Sequence, residues 1–488
     1  MAAAVFGVSL SASFQFDDYA IFSNPVLTSV DGWRQVWKPL QTRPLTYFTF
    51  WLNYRASGGN PIGYHAVNVA LHVAAILLLW DVLSRIIPRR AAFVASLVFA
   101  LDPIQAEAVA YVYARAILLA TVFCLLSLRS WIKGRHWWAV AWFAVALLAK
   151  EECAAFPVFL LLLHFSISRN TSEFRAIAAM LGLSLLAGLR VMVVTAVEPG
   201  VGAGFQAGVS TFEYLAAQGV VILRYFRLLV FPWGFSADPD IRVPGVWLAL
   251  LAWLAIAASV IVALRRFSSA RQGFWYVSGL VLLLPSSSIF PAADLAADRR
   301  MYLPMCAFAA AAGLLLRSVK SRILLALVLL LALLSFGRMR VWLTERSLWQ
   351  EAVNRAPNKI RPKIQLARTL EPAKALALVE EAQRLAPEDP RVAAELGKTY
   401  MLLGKPQQAL AAFGRQLALS PNSAQALNSR GVALLALGQS GAAREDFERA
   451  LKIDPCLFDA RFNLKRFGVA LSNWDCRFSD EQRRLLQE

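Results

Sequence analysis

The sequence is poor in the residues on which soluble catalysts usually rely. Of 488 residues only four are histidine and five are cysteine, and charged residues make up 17%. No Gly-rich phosphate loop, nucleophile elbow or HExxH motif occurs, so nucleotide hydrolysis, serine hydrolysis and zincin chemistry have no support. Cys124, Cys153 and Cys306 lie in apolar runs, Cys456 and Cys476 near the C-terminus, and none belongs to a CxxC or Cys/His cluster of the kind that holds structural zinc. A Cys456 to Cys476 bridge is open only in an oxidising compartment; two unpaired thiols are the simpler expectation.

What is abundant is apolar. The chain is 58% hydrophobic with mean hydropathy +0.51, and its apolar residues fall in blocks of about 20, the length a bilayer core demands. The net charge of +18 does not mark a nucleic-acid binder, because Lys and Arg sit in short clusters between the apolar blocks and form no basic and aromatic face. They act as topology signals.

Eleven spans are expected, near 1–14, 66–84, 91–108, 110–128, 137–149, 153–167, 176–197, 246–264, 274–290, 301–316 and 323–337. With the N-terminus inside, the inner loops carry Arg85, Arg89 and Arg90; Arg129, Lys133 and Arg135; Arg169 and Arg175; Arg265, Arg266 and Arg271; and Arg317, Lys320 and Arg322. Every inner loop is then basic, as the positive-inside rule requires. The pattern holds only if 212–231 does not cross, so this segment is expected as an interfacial helix with Arg224 and Arg227 at headgroup level. Two spans are short. Residues 1–14 read as an incomplete first helix, with a cleaved signal peptide as the rival that lacks a positive n-region. The block 137–149 crosses alone or pairs with 153–167 as a re-entrant hairpin around Lys150, Glu151 and Glu152.

Acids and bases collect on the outer side. The loop 15–64 holds Asp17 and Asp18, then Arg43 in TRPLTYFTFWLNY; later segments add Asp102 and Glu107, Lys150 and Glu151, Asp238 and Asp240, and the run PAADLAADRRMYLP with Asp294, Asp298, Arg299, Arg300 and Tyr302. Any one of these is most simply solvated or salt-bridged. Together, at span ends where ionisable groups are costly unless paired or used, they mark a site. Arg115 lies inside YVYARAILLATVF, with three roles open: snorkelling, pairing with Asp102 or Glu107, or presenting a cation to a lipid phosphate.

The C-terminal part is read by its period. Pro387, Pro421 and Pro455 are 34 residues apart, the length of a helix-turn-helix repeat closed by proline. Register 390–423 places Leu396, Gly397, Tyr400, Ala409, Phe413 and Pro421 at the repeat positions, and 424–457 places Gly431, Leu434, Ala443, Phe447, Ala450 and Pro455. Upstream, 359–387 keeps only the second-helix half of the pattern, and 458–472 reads as a capping helix. Stacked units of this kind form a concave groove, expected here around Tyr400, Leu427 and Leu434; a spacer without ligand is the rival.

The collinear motifs FxFDD, RPLTYFTFWLNY, PIGYHAVNVALH, FALDPIQAEAVAYVYAR, LLAKE, RYFRLLVFPWGFSAD and ADRRMYLP, followed by the 34-residue repeat, resemble those of the transmembrane and tetratricopeptide-repeat O-mannosyltransferases and their bacterial relatives in the GT-C superfamily. Three features depart from that pattern: the repeat array is short, the first span is stunted, and Asp298 stands where a glutamate is expected. The resemblance implies an all-α protein: a GT-C-type membrane bundle over 1–340, a linker over 341–358, and a repeat solenoid over 359–488. It further implies transfer of a monosaccharide, mannose foremost, from a polyprenyl- or dolichyl-phosphate donor to Ser/Thr hydroxyls of a protein or peptide on the outer face.

The residues suit that chemistry. Asp17 at the end of the first span would be the general base of an inverting transfer, with Asp18 orienting it, positioning acceptor or holding a metal. Arg299 and Arg224, with Arg115, Arg43 and Lys150 behind them, would stabilise the leaving lipid phosphate, and Tyr302 would donate to a phosphate oxygen. Asp102, Glu107, Glu151 and Asp298 complete the donor-side set. No metal or other cofactor is expected, since a single phosphate offers no pyrophosphate for a cation to bridge. The rivals are a non-catalytic membrane scaffold for the repeats and a GT-C transferase acting on glycan or lipid. A bacterial inner membrane with periplasmic repeats is the expected location, or the ER membrane with lumenal repeats in a eukaryote.

Overall fold

The computed structural model describes residues 1–38, 41–167, 173–197, 208–266, 270–469, 476, 478 and 480–487. Arg169, one of the inner-loop cations, lies outside them. Contacts divide the chain into two units, Met1–Ile21 with Asp31–Thr344, and Phe22–Val30 with Glu345–Glu488. The α-helices of eight residues or more are numbered in chain order.

The first unit contains α1 (Pro44–Ser57), α2 (Pro61–Leu83), α3 (Arg89–Leu101), α4 (Arg115–Ile132), α5 (His136–Ala149), α6 (Phe156–Ile167), α7 (Phe174–Val197), α8 (Thr211–Val230), α9 (Val246–Arg266), α10 (Ala270–Leu283), α11 (Tyr302–Leu316) and α12 (Ser321–Val341). Five helical stretches are long and apolar enough to cross a bilayer: Pro61–Leu83, Val112–Ile132, Phe174–Ala196, Val246–Arg265 and Ser321–Val341. A sixth is obtained if Arg89–Leu101 and Pro103–Ala110, bent by 49°, count as one span. The expected eleven therefore rests on shorter apolar helices that do not meet this length, among them Ala2–Ser11 and His136–Ala149. The bend has a local cause: Pro103 has no N–H to continue α3, and the Asp102 carboxylate accepts from the Ile104 N–H at 2.9 Å, starting a new turn.

Close backbone approach holds the centre of this unit. A Cβ on Gly313 of α11 would collide with the Ala91 carbonyl and with Ala95 of α3, so only glycine permits the contact. The α8 helix departs from expectation. It packs against α9 and buries Tyr214, Gln218, Val221 and Tyr225, while Arg224 turns inward to Asp298. Arg227 is exposed.

The second unit is a stack of antiparallel helix pairs, α14 (Ile360–Ala367) with α15 (Pro372–Leu385), α16 (Pro390–Leu402) with α17 (Pro406–Leu419), and α18 (Ala424–Ala436) with α19 (Ser440–Ile453), followed by α20 (Phe458–Arg466) and α21 (Asp480–Gln487). Two expectations change. The segment 341–358, expected as a linker, holds α13 (Glu345–Arg355), which buries Leu348, Trp349 and Ala352 and packs on α14. The half-repeat 359–387 has both helices: Ile364 and Ala367 of the short first one share a core with Ala375, Val379, Ala382 and Val392.

Leu427 and Leu434 are not groove residues. They are 1% and 8% exposed and lie in the cores beneath α18, because the repeat's leucine positions are those that fasten one helix to the next. Tyr400 is half-buried against two of these cores. Cys456 and Cys476 are disulfide-bonded.

In both full repeats a glycine of the first helix faces a phenylalanine of the second: added Cβ atoms at Gly397 and Gly431 would stand 2.5 and 2.6 Å from the rings of Phe413 and Phe447. Gly397→Val is expected to cost about 1–3 kcal/mol by overpacking. Hydrogen exchange on the full chain should lose protection across 390–423, and unchanged protection would refute this account of the repeat.

Candidate active site

The turn that carries Asp17 and Asp18 is built by its own side chains. Phe16–Tyr19 forms one 3-10 turn whose start is tied by the Asp18 carboxylate, which accepts the Gln15 N–H at 2.9 Å; Gln15 in turn donates to the Trp342 carbonyl at 3.2 Å. The other Asp18 oxygen accepts the Tyr113 N–H at 2.7 Å. Asp18 has no exposed surface. Burial is the largest influence on it and pushes its pKa up to about 8, against the backbone donors of Gln15, Tyr113 and Val112 and with the help of the Asp17 charge. Asp17 differs: it is half-buried, and its Oδ2 accepts the Tyr111 hydroxyl at 2.6 Å. Of the adjacent pair, Asp18 is fully buried and shapes the turn, whereas Asp17 is only half-buried and holds the Tyr111 hydroxyl.

A second carboxylate gathers the loop before α11. Glu107 pairs with the Arg299 guanidinium through one oxygen, and its other oxygen accepts the backbone N–H groups of Asp298 at 2.8 Å and Arg299 at 3.3 Å. Arg299 also reaches Asp294 at 3.7 Å and lies over the Tyr111 ring with Cζ 5.7 Å from its centroid. Burial works against its charge, but Glu107, Tyr111 and Asp294 outweigh it and hold the guanidinium protonated. Arg224 donates to Asp298 at 2.7 Å; its Nη2 is buried without a partner among the described residues. The contacts thus run without a break from Asp17 through Tyr111, Arg299, Glu107 and Asp298 to Arg224.

A neighbouring group contains Arg43, Lys150 and Glu151. Arg43 grips Glu151 with two bonds, Nε to Oε2 at 3.1 Å and Nη2 to Oε1 at 2.5 Å, and Lys150 pairs with Glu152 at 3.0 Å. Burial would raise the Glu151 pKa, yet Arg43 outweighs it and holds the group at about 2. Tyr47 and Tyr113, hydroxyl to hydroxyl at 3.0 Å, connect this group to Asp18 through the Tyr113 backbone. Phe16 and Arg43, at φ 44° and 51°, are the two non-glycine residues with left-handed backbone among the described residues. Each adjoins candidate chemistry, and such strain persists only where surrounding contacts over-determine it.

Three sequence candidates are placed elsewhere. Arg115 is fully buried and spent on the fold: Nε on Asn68 Oδ1 at 2.9 Å, Nη2 on the Tyr64 carbonyl at 3.0 Å, Nη1 on the Thr49 carbonyl at 3.3 Å, with Phe50 stacked 4.6 Å away. It pairs with neither Asp102 nor Glu107. Asp102 is 2% exposed and serves as the cap described above. Tyr302, expected to face the lipid boundary, is completely buried and bonded to His72 Nδ1 at 2.8 Å, because α11 runs through the centre of the bundle. Tyr111 was missed, and Arg300, counted among the outer-side acids and bases, had no role assigned to it. Arg300 donates to Tyr214 at 3.2 Å and to the carbonyls of Leu295 at 3.1 Å and Asp294 at 2.6 Å, fixing the loop that presents Arg299. The only signal for either was its place in AYVYAR or ADRR.

The family profile for tetratricopeptide repeats matches residues 424–455. A protein O-mannosyl-transferase of Caenorhabditis elegans is 27% identical over 411 residues, 74% of this chain and 57% of that protein. Protein O-mannosyl-transferase TMTC4 of Mus musculus is 27% identical over 451 residues, 72% of this chain and 60% of that protein. The chain is therefore similar to proteins of that name over about three quarters of its length, and spans less than two thirds of theirs. Among solved structures, ArnT from Cupriavidus metallidurans bound to undecaprenyl phosphate aligns over 92% of this chain and 78% of that one at 14% identity, with a TM-score of 0.40.

The Asp18 carboxyl supplies a pH test. Its folded pKa of about 8 lies above the unfolded value near 4, so the folded state binds the extra proton and stability falls as pH rises from about 4 to 8. The melting temperature of the purified protein should decline across pH 5–8, and Asp18→Asn should flatten that decline. An equal slope in the variant would remove Asp18 as its source.

Proposed function

We propose that this chain is an integral membrane glycosyltransferase that moves a monosaccharide, mannose foremost, from a polyprenyl- or dolichyl-phosphate to Ser/Thr hydroxyls of a protein acceptor on the outer face. The observation that carries the reading is the run of contacts that joins the half-buried Asp17, through Tyr111, to two carboxylate-paired cations from distant parts of the chain. Similarity to protein O-mannosyl-transferases supports it.

The step is a single inverting displacement. The acceptor hydroxyl gives its proton to Asp17 as its oxygen bonds to the anomeric carbon, and the bond from that carbon to the phosphate oxygen breaks on the opposite face. The electron pair leaves with the lipid phosphate. Arg299, and Arg224 through an Nη2 that has no partner among the described residues, meet the charge that grows there. Glu107 and Asp298 hold these cations in place, and Asp18 fixes the turn that aims Asp17. Acceptor protein binds the repeat unit. The Cys456–Cys476 bridge supports an oxidising compartment for the repeats, the periplasm of a bacterium or the lumen of the ER.

Transfer from synthetic polyprenyl-phosphate-mannose to a Ser/Thr peptide pool should fall by two orders of magnitude or more in Asp17→Asn, the range of a lost general base, with folding retained. Tyr111→Phe should lose roughly fivefold, the equivalent of about 1 kcal/mol for one hydrogen bond. Full activity in Asp17→Asn would sink the assignment of the base; no transfer by the wild type with any sugar or acceptor would sink the function.

A further inference from the structure

The turn that carries Asp17 does not hold itself. Phe16 has left-handed backbone, a conformation that persists only where neighbouring contacts enforce it. Part of the enforcement is local, through the Asp18 carboxylate on the Gln15 N–H. The rest comes from the other end of the first unit. Helix α12 stops at Val341, so the carbonyls of Trp342 and Leu343 have no further helical turn to bond. They take donors from the Asp17 turn instead: the Gln15 side chain reaches the Trp342 carbonyl at 3.2 Å, and the Ser13 N–H and hydroxyl reach the Leu343 carbonyl at 3.0 and 3.3 Å.

The Trp342 side chain acts on the same place by a second route. Its buried ring lies 6.0 Å from that of Tyr111, the residue whose hydroxyl donates to Asp17. Aromatic pairs at this separation are worth more than the area they bury, and the excess depends on how the two rings are set. Arg338, one turn back along α12, places its guanidinium 5.9 Å from the Trp342 ring and fixes it in turn. Trp342 therefore bears on Asp17 through Gln15 and through Tyr111.

We infer that Trp342 is a positioning residue for the proposed transfer: its carbonyl sets the turn that carries Asp17, and its ring sets the tyrosine that hydrogen-bonds that carboxylate. The inference rests on the transferase reading above and adds what keeps the base in register. Two routes matter because a displacement of about 1 Å at a reacting group costs on the order of 10²-fold in rate. The cations are held differently, Arg299 by Glu107 and Arg224 by Asp298. Loss of the Trp342 ring thus reaches the base and leaves these ion pairs, and with them the grip on the donor phosphate, in place.

The test reads rate and structure separately on full-length protein in nanodiscs. In Trp342→Leu, kcat for transfer from polyprenyl-phosphate-mannose should fall roughly tenfold or more with the donor KM unchanged. The acidic limb of its rate profile should move to higher pH, because a carboxylate that loses a hydrogen bond takes up its proton more readily. Trp342→Phe, which keeps a ring against Tyr111, should recover most of the rate. Gln15→Met removes the donor to the Trp342 carbonyl at similar volume; it should show the same split between kcat and KM, and it decides the matter if Trp342→Leu does not fold. Hydrogen exchange should quicken over 13–18 and 111–113 in both variants. Wild-type kcat per folded molecule in Trp342→Leu and Gln15→Met, or kcat and KM moving together, would overturn the role. Faster exchange at these segments with no transfer by the wild type would keep the brace and reject the transferase; transfer with exchange unchanged in both variants would do the reverse.

Discussion

The candidate site depends on one carboxylate. Glu107 is almost completely buried, on the short helix that follows the bend at Asp102, and it binds the Arg299 side chain and two backbone N–H groups of the loop before α11 at once. An isolated carboxylate there would be prohibitively costly, and an isolated guanidinium hardly less so; each is tolerable because the other is present and the remaining lone pairs are filled. Through Arg299 the same contact reaches Tyr111 and Asp17, and through Asp298 it reaches Arg224. Parts of the chain almost 200 residues apart are thereby brought to one place.

Around that contact the protein separates two kinds of charged residue. Arg115 and Arg300 are enclosed by carbonyls and hydroxyls of neighbouring segments, and their donors are consumed in holding loops. Arg299, Arg224 and Arg43 are held from one side by carboxylates. A guanidinium has five donors, and a carboxylate occupies at most two of them, so a carboxylate-held arginine retains directions in which to meet an anion. The left-handed backbone at Phe16 and Arg43 belongs to the same logic, because strain at both points is maintained by the contacts of the groups that follow.

The organisation of the chain was largely legible. The 34-residue proline period located the repeats because stacking demands the same apolar and glycine positions in every unit, and Gly397 over Phe413 shows that demand directly. Apolar block lengths identified the membrane part. Five of the expected spans, or six with the pair bent at Asp102 and Pro103, are helices long and apolar enough to cross; others, among them Ala2–Ser11 and His136–Ala149, are shorter apolar helices, because block length does not register where a helix starts and stops. The candidate residues were found as a set and only partly as roles. Asp17, Glu107, Arg224, Asp298 and Arg299 come together, while Arg115, Asp102 and Tyr302 are structural, and no local feature of YVYAR or MYLP distinguishes the two outcomes.

Composition, block length and period are properties of neighbours along the chain, and they determined by themselves that this is an apolar helical protein ending in repeats. Which of two adjacent aspartates stays accessible, which arginines pair with carboxylates, and whether two cysteines twenty residues apart are bridged depend on groups remote in sequence. Desolvation decides these matters: burial makes an unpaired charge so costly that its partner, and hence its role, is set by whatever the fold brings alongside. That is information held only in the tertiary structure.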